Sequence, residues 1–425
     1  MTAFLMIAFV ALLTVGVPVA IALGGASLLY VMAEDVSPHL VVLHRMVSGV
    51  DSFPLLAIPF FIMAGSLMNS AGITARIYDF ALALVGWLKG GLGHVNVVGS
   101  VIFAGMSGTA VADAGGLGNI EIKAMRDHGY DVDFAVGITG ASSTIGPIIP
   151  PSLPMVIYGV MANCSIGQLF AAGLLPGLLM AGTMMAMVAW YAHVRGFQRD
   201  ATFAWARLGY TFKRAFLPLM TPVLLIGGMT SGVFTPTEAA IAATAYALVL
   251  GLFVYRTLSF RGLIRVSMET VETTAIILFI VAGASIFGYI ITTTRVTDEI
   301  AGMVLSVTSE PWAVLLLVNL FLLVVGCFME TIAAITILVP VLMPLMTQIG
   351  VDPVHFGLIM VLNLMIGLLT PPVGMVLYIL ARIANISFER TTKACLPFLV
   401  PLLATLGLVT YWPDFVMLLP RYFYG

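Results

Sequence analysis

The chain carries the motif GPIIPPSLPMVIY at Gly146–Tyr158 and a shorter copy, GLLTPPVGMVLY, at Gly367–Tyr378. The first glycines of the two motifs lie 221 positions apart, and so do the proline pairs Pro150–Pro151 and Pro371–Pro372. The same register continues upstream of both motifs. The chain is therefore predicted to be a duplicated unit of about half its length.

Each motif lies inside an apolar segment of membrane-spanning length. Paired prolines remove backbone donors, and in lipid every carbonyl that they leave free must find another partner. A broken helix at membrane depth is thus stable only beside protein, water or a bound ion. Interrupted apolar segments at corresponding positions of two halves are typical of the substrate and ion site of a secondary transporter.

The composition predicts an all-α polytopic membrane protein. Of the 425 residues, 60% are hydrophobic and only 9% are charged, whereas about 25% of the residues of a soluble chain are charged. The net charge of −2 argues against a nucleic-acid partner. The sequence contains no HExxH, GxSxG or Walker A motif, so we expect no enzyme and no organic cofactor.

The apolar blocks predict two inverted repeats with re-entrant helical hairpins and discontinuous helices, the architecture of elevator-type ion transporters. A block as long as 311–346 exceeds one crossing of about 20 residues and favours a hairpin with its tip near Met329–Thr331. The predicted segments are a first repeat at 1–194 with hairpin 93–122 and broken helix 134–162, a linker at 195–215, and a second repeat at 216–425 with hairpin 311–346 and broken helix 355–384.

Basic residues predict the orientation. Arg195, Arg199 and Arg207 crowd the linker, and Arg256 and Arg261 lie in a later loop. Both segments are expected in the cytoplasm under the positive-inside rule. Inverted halves then have an odd number of crossings each, which places both termini on the periplasmic side.

Four long stretches closely resemble the large membrane subunit of TRAP (tripartite ATP-independent periplasmic) transporters, the DctM-like family. They are LLAIPFFIMAGSLMN at Leu55–Asn69, GMSGTAVADAGGLG at Gly105–Gly118, ASSTIGPIIPPSLPMVIYG at Ala141–Gly159 and GVFTPTEAA at Gly232–Ala240. The resemblance implies sodium-driven uptake of an organic acid across the bacterial inner membrane. It also implies two partners, a soluble periplasmic substrate-binding protein and a small four-helix membrane subunit.

Neutral oxygens near the two breaks predict the sodium sites. A hard cation suits a cage of carbonyls and hydroxyls, and half-helix ends supply such carbonyls. The predicted ligands in the first half are Ser107, Gly108, Thr109, Ser142, Thr144, Gly146 and Pro147. In the second half they are Met329, Glu330, Thr331, Gly367, Thr370 and Val373. The hydroxyls have a second interpretation, because serine and threonine also bond to carbonyls of their own helix.

Glu330 is the largest difference between the two predicted sites, because the first half has a neutral residue at that position. An acid at membrane depth suggests a function, yet it equally fits a cap at the beginning of a helix. Asp113 is likewise assigned either to a helix N-terminus or to coupling. The segment Thr235–Glu238 predicts a capping box without a ligand.

The substrate carboxylate is expected near the hairpin tips. Its predicted contacts are Ser107, Ser143, Pro150, Thr331, Asn363 and Thr370. C4-dicarboxylates, sialic acids and sugar acids all remain open. The alternative function is a stand-alone sodium/dicarboxylate symporter of related hairpin architecture, which would need no binding protein; a channel and an intramembrane enzyme are further alternatives.

Overall fold

The computed structural model describes residues 2–34 and 40–425, and this part of the chain is helical without a β-sheet. The helices of the first half are α1 Thr2–Thr14, α2 Val19–Glu34, α3 Leu40–Val50, α4 Ala57–Ser70, α5 Ile73–Val85, α6 Gly91–Ser107, α7 Ala110–Asp127, α8 Val132–Ser143, α9 Leu153–Met161 and α10 Ile166–Arg195. Those of the second half are α11 Trp205–Thr230, α12 Pro236–Val249, α13 Phe260–Thr293, α14 Val296–Val307, α15 Pro311–Phe328, α16 Thr331–Gln348, α17 Pro353–Gly367, α18 Met375–Ala384, α19 Phe388–Cys395, α20 Leu399–Tyr411 and α21 Pro413–Tyr424.

Eight helices of the described part are long and apolar enough to cross a membrane, which agrees with a polytopic chain. The helices also repeat in order. The pair α6–α7 corresponds to α15–α16, and the broken pair α8–α9 corresponds to α17–α18, all at a spacing close to 221 residues. The predicted all-helical fold with inverted repeats and discontinuous helices is confirmed.

Each hairpin reverses over two residues. In the first, Gly108 adopts a positive φ of 62°, and Thr109 begins α7 by accepting a hydrogen bond from the Ala112 N–H at 3.2 Å. A positive φ favours glycine, and threonine is a preferred N-cap. The sequence GT therefore ends one arm and begins the next.

The first broken helix also has a local cause. After α8 ends at Ser143, the chain passes through the proline-rich break and resumes at α9, where Ser152 accepts a hydrogen bond from the Met155 N–H. The Ser152 hydroxyl donates to the Pro147 carbonyl at 2.5 Å. A freed carbonyl of the break thus receives a side-chain donor, as burial requires.

The two repeats interlock through their broken helices. The first segments, α8 and α17, pack on the hairpin of their own repeat. The second segments cross over, because α9 packs on α16 and α17 whereas α18 packs on α7 and α8. The Tyr158 hydroxyl of α9 donates to the Pro353 carbonyl at 2.7 Å. Helices α6–α9 and α15–α18 therefore form one packed body, here named the hairpin unit.

The helices α2–α4 and α11–α13 pack on one another and are here named the frame. Its backbones approach closely: the Thr244 hydroxyl of α12 donates to the Phe60 carbonyl of α4 at 2.7 Å. Frame and hairpin unit meet where α13 lies against α16 and where α4 lies against α6. Helices α5 and α14 connect the two bodies in sequence, and each also packs on a hairpin arm.

Candidate substrate and cation site

Both hairpin tips reach one cavity of 820 Å³, here named the tip cavity. Its other wall belongs to α2, α4 and α13 of the frame. Ser107 and Thr109 line it from the first tip, and Glu330 and Ala333 line it from the second. The cavity thus lies between the two bodies, where both repeats present the end of a hairpin.

Oxygen atoms gather around Gly146 at the first tip. A Cβ on this glycine would lie 3.4 Å from the Ser143 carbonyl oxygen, 3.5 Å from the Thr109 carbonyl oxygen and 3.7 Å from Ser107 Oγ. The Ser107 hydroxyl is buried and has no hydrogen-bond partner among the described residues. An unpartnered hydroxyl beside two carbonyls is a suitable beginning of a site for a small hard cation.

The first tip touches the first break through backbone atoms. The Leu153 N–H donates to the Gly108 carbonyl at 3.4 Å, and a Cβ on Gly108 would lie 2.8 Å from the Pro151 carbonyl oxygen. Glycine is therefore required at this position for two reasons, its positive φ and the close approach.

The second tip has the same plan with different contacts. The Val373 N–H donates to the Cys327 carbonyl at 3.1 Å, which again joins the break to the hairpin. The helices α15 and α17 cross with backbones in contact, since a Cβ on Gly326 would lie 3.1 Å from the Gly367 Cα. In the opposite direction, a Cβ on Gly367 would overlap the Gly326 backbone.

Glu330 is the N-cap of α16. Its carboxylate accepts hydrogen bonds from the Ile332 and Ala333 N–H groups at 2.9 and 3.1 Å. A negative charge at a helix N-terminus is stabilised by the helix dipole. Of the two interpretations of this acid, the capping geometry is thus present, while the side chain also lines the tip cavity.

Several other predicted ligands have their hydroxyls engaged within their own segments. Ser143 Oγ donates to the Gly140 carbonyl at 2.8 Å, Thr144 Oγ1 to the Ala141 carbonyl at 2.6 Å, and Thr370 Oγ1 to the Ile366 carbonyl at 2.8 Å. Thr331 Oγ1 is buried without a partner among the described residues. Of the predicted cation and substrate residues, only Ser107, Thr109 and Glu330 line the tip cavity.

Asn363 lies away from the cavity in a buried amide pair. Its Nδ2 donates to Asn319 Oδ1 of α15 at 2.7 Å and to the Ile359 carbonyl at 2.8 Å. The equivalent position of the first repeat is Ser142, whose hydroxyl donates to Asn96 Oδ1 of α6 at 2.6 Å. In this arrangement both residues tie a broken helix to its hairpin.

The polar network around Asn96 is not among the sites predicted from the sequence. Its Nδ2 donates to Glu121 Oε2 and to Thr139 Oγ1, both at 2.7 Å, deep inside the first repeat. Glu121 is fully enclosed and has one oxygen without a partner. Asn96 and Glu121 interrupt apolar or glycine-rich runs in the hairpin arms, and that interruption is the signal that could have identified them.

The tip cavity is mostly apolar, and Glu330 is the one charged residue among its described lining residues. Ser66, Asn69 and Thr273 of the frame add polar groups, but no lysine or arginine is among its described lining residues. A carboxylate ligand would therefore depend on hydroxyl and amide groups, helix N-termini and any cations bound nearby.

Residues 6–415 match the family model described as "Tripartite ATP-independent periplasmic transporter, DctM component". The sialic acid TRAP transporter large permease protein SiaM of Vibrio cholerae is 48% identical over 414 residues, which cover 97% of each chain. The C4-dicarboxylate TRAP transporter large permease protein DctM of Pseudomonas aeruginosa is 37% identical and covers 94% of this chain and 93% of its own length.

A likeness also exists among solved structures. The Alcanivorax borkumensis YdaH transporter matches with a TM-score of 0.64 over 88% of this chain and 87% of that one. At 14% identity this match concerns the fold alone. The named relatives are transporter permeases and not enzymes.

Proposed function

The chain belongs to the family of DctM components of TRAP transporters, and we propose that it carries out sodium-coupled uptake of an organic acid. The observation that carries this proposal is the meeting of both hairpin tips at one cavity, with the oxygens around Gly146 directly behind the first tip. The substrates for which relatives are named include the carboxylates sialic acid, 2,3-diketo-L-gulonate and C4-dicarboxylates and one sulfonate, isethionate. All of them are organic anions, and a carboxylate, as in the sialic acid relatives, is the proposed anionic group of the substrate.

The charges of the cavity support coupling to a cation. An organic anion next to Glu330, with no lysine or arginine in the described lining, meets repulsion without compensation. Sodium ions held at the oxygens of the tips would supply positive charge within a few ångströms. Binding of anion and cation would then be mutually favourable, which is the coupling free energy that symport requires.

The proposed mechanism is an elevator. The hairpin unit is interlocked by the exchanged packing of α9 and α18, so it can move as one body. Its contacts with the frame are made mainly by α13 on α16 and by α4 on α6. Movement along these contacts would carry the tips, and the ligands at them, from one side of the membrane to the other.

We further propose that the protein lies in the bacterial inner membrane with its termini on the periplasmic side. The small four-helix subunit would widen the frame, whose helices α11, α12 and α13 expose large apolar side chains such as Val223, Ile241 and Phe260. A periplasmic binding protein would deliver the acid.

The sodium dependence can be measured with the complex reconstituted in liposomes. N-acetylneuraminate uptake in the presence of its binding protein is expected to disappear when sodium is replaced by choline at an unchanged proton gradient. Succinate serves as the second substrate, because some relatives are named for sialic acid and others for C4-dicarboxylates. Equal uptake in choline would refute sodium coupling for whichever acid is transported.

Omission of single components separates the alternatives. The tripartite proposal predicts no uptake without the binding protein or without the small subunit. Full uptake by this chain alone would favour the stand-alone symporter.

A further inference from the structure

A second cavity of 490 Å³ lies between the frame and the hairpin unit, and Arg45 of α3 is its basic residue. Helix α13 of the frame also lines it, and the hairpin unit contributes the end of α9 and Pro340 of α16. The guanidinium carbon of Arg45 stacks 4.1 Å from the ring centroid of Tyr289. This cavity is here named the Arg45 cavity.

Arg45 is free to bind an anion. It has no ion-pair partner within residues 2–34 and 40–425. The hydroxyls of Ser48, Ser52 and Ser285 also line the cavity, and none of them forms a hydrogen bond in the described part of the chain. Stacking on a tyrosine fixes the guanidinium plane and leaves its edge donors available.

The Arg45 cavity follows the tip cavity along the same two helices. From Ile277 in the tip cavity to Gly288 in the Arg45 cavity, α13 advances by roughly 16 Å at 1.5 Å per residue. On α16 the distance from Ala333 to Pro340 is about 10 Å by the same rise. A body that slides along α13 would bring its tips toward Arg45.

Arg45 lies far along the membrane normal from the basic residues at the beginning of α13. Arg256, Arg261 and Arg265 flank the beginning of α13, whereas Arg45 stacks on Tyr289 near the other end. Basic residues concentrate on the cytoplasmic side. In the proposed orientation Arg45 therefore lies toward the opposite, periplasmic end, where the acid would enter.

We propose that Arg45, with Ser48, Ser52 and Ser285, forms an entry site for the carboxylate of the acid. The acid would bind at this site before the hairpin unit moves, or while its movement along α13 brings the hairpin tips to the site. The proposal rests on the proposed function, since it assigns a further contact to the same substrate. The donors are those that carboxylates prefer, a guanidinium edge together with hydroxyls. A phosphate of an anionic lipid would satisfy the same chemistry and is the competing ligand in the test.

The test measures uptake kinetics of Arg45→Gln, Arg45→Lys and the control Arg295→Gln in the complete reconstituted system. Arg295 is exposed near the same end of α13 but does not line the cavity. For Arg45→Gln we expect the half-saturation concentration of N-acetylneuraminate to rise about tenfold, as for one lost charge-assisted hydrogen bond. The maximal rate and the half-saturation concentration for sodium should stay within about twofold of the wild-type values. The substrate half-saturation concentration of Arg45→Lys should lie between those of the wild type and Arg45→Gln.

Vesicles of pure phosphatidylcholine and vesicles with added phosphatidylglycerol distinguish the two anions. An effect of equal size in both, which weakens as salt screens the charge, supports the carboxylate. An effect confined to phosphatidylglycerol vesicles assigns the site to lipid and overturns the proposal.

An unchanged substrate half-saturation concentration in Arg45→Gln also overturns the proposal, and so does an equal rise in Arg295→Gln. Loss of sodium dependence in the wild type would instead refute the proposed function, so the two failures are distinguishable. Size-exclusion profiles identify a variant that is not folded, and in that case Ser48→Ala, expected to raise the half-saturation by about threefold, decides the question.

Discussion

The two breaks share a sequence register but not an environment. Residues 141–152 around the first break are all buried, whereas Pro371–Val373 of the second are exposed. Tyr158 after the first break is fully buried, while the matching Tyr378 is 55% exposed and stacks on Phe388. Similar local sequences thus end in unlike surroundings because different neighbours cover them.

The hairpin tips repeat this lesson. Thr109 and Glu330 occupy equivalent positions, and each is the N-cap of the second hairpin arm. Thr109 accepts one backbone hydrogen bond, whereas Glu330 accepts two and brings a charge to the cavity. The duplication preserves the backbone plan, and the side chains divide the chemistry between the halves.

Substitution of the motif glycines should give the largest contrast. A Cβ on Gly367 overlaps the Gly326 backbone, which cannot move aside, whereas a Cβ on Gly146 meets only ordinary contact distances. Overpacking costs about 1–3 kcal/mol, so Gly367→Ala should reduce uptake at least about tenfold. Gly146→Ala should retain most uptake, and leucine at either position should abolish it. The measurement is uptake in liposomes divided by the amount of folded protein. Equal losses in the two alanine variants would contradict the comparison.

The second largest contrast is expected between the two hydroxyls proposed as sodium ligands, those of Ser107 and Thr370. Ser107 Oγ has no partner in the described part of the chain, whereas Thr370 Oγ1 is bonded to the Ile366 carbonyl. Ser107→Ala should raise the half-saturation concentration for sodium about tenfold, which corresponds to about 1.4 kcal/mol, and Thr370→Ala only about twofold. Sodium titrations of uptake test this order. The reverse order would place the dominant cation site in the second repeat.

The caps of the two tips should separate by stability. Glu330→Ala removes two hydrogen bonds and a charge, and we expect a loss of about 2 kcal/mol, against about 1 kcal/mol for Thr109→Ala. Glu330→Gln keeps an acceptor and isolates the charge. Thermal unfolding in detergent measures all three variants. If Glu330→Ala is as stable as the wild type, its capping contacts do not matter for the fold.

The smallest effect on transport is expected outside both tips. Thr235 accepts a hydrogen bond from the Glu238 N–H in a complete capping box, and no part of it lines the tip cavity. Thr235→Ala should cost about 1 kcal/mol of stability and leave the sodium and substrate half-saturations unchanged. A transport defect larger than that of Ser107→Ala would show that the cation site lies elsewhere.

The helix breaks and the hairpin reversal could be predicted from the sequence alone. Paired prolines interrupt a helix wherever they occur, because they lack the donor and clash with the preceding turn. Gly108 with Thr109 specifies the reversal of the first hairpin by backbone freedom and capping. The spacing of 221 positions then transfers this plan to the second half, where Glu330 takes the place of Thr109.

The partners of individual side chains could not be predicted in this way. Asn363 is a predicted substrate contact, and only the structure shows that its Nδ2 donates to Asn319 Oδ1, 44 positions earlier on another helix, while its own Oδ1 is buried without a partner among the described residues. Glu121 is part of no recognised sequence motif, although Asn96 Nδ2 donates a hydrogen bond to its carboxylate inside the first repeat.

The sequence by itself determined the membrane class, the duplication and the places where helices break, since these depend on composition, register and backbone chemistry within a few residues. Only the tertiary structure decided which tips share a cavity, which hydroxyls stay free for a ligand and that Arg45 has no counter-ion within the described residues. These properties depend on contacts between segments far apart in the chain, and a hydrogen bond or a steric overlap is fixed by distances that the order of residues does not specify.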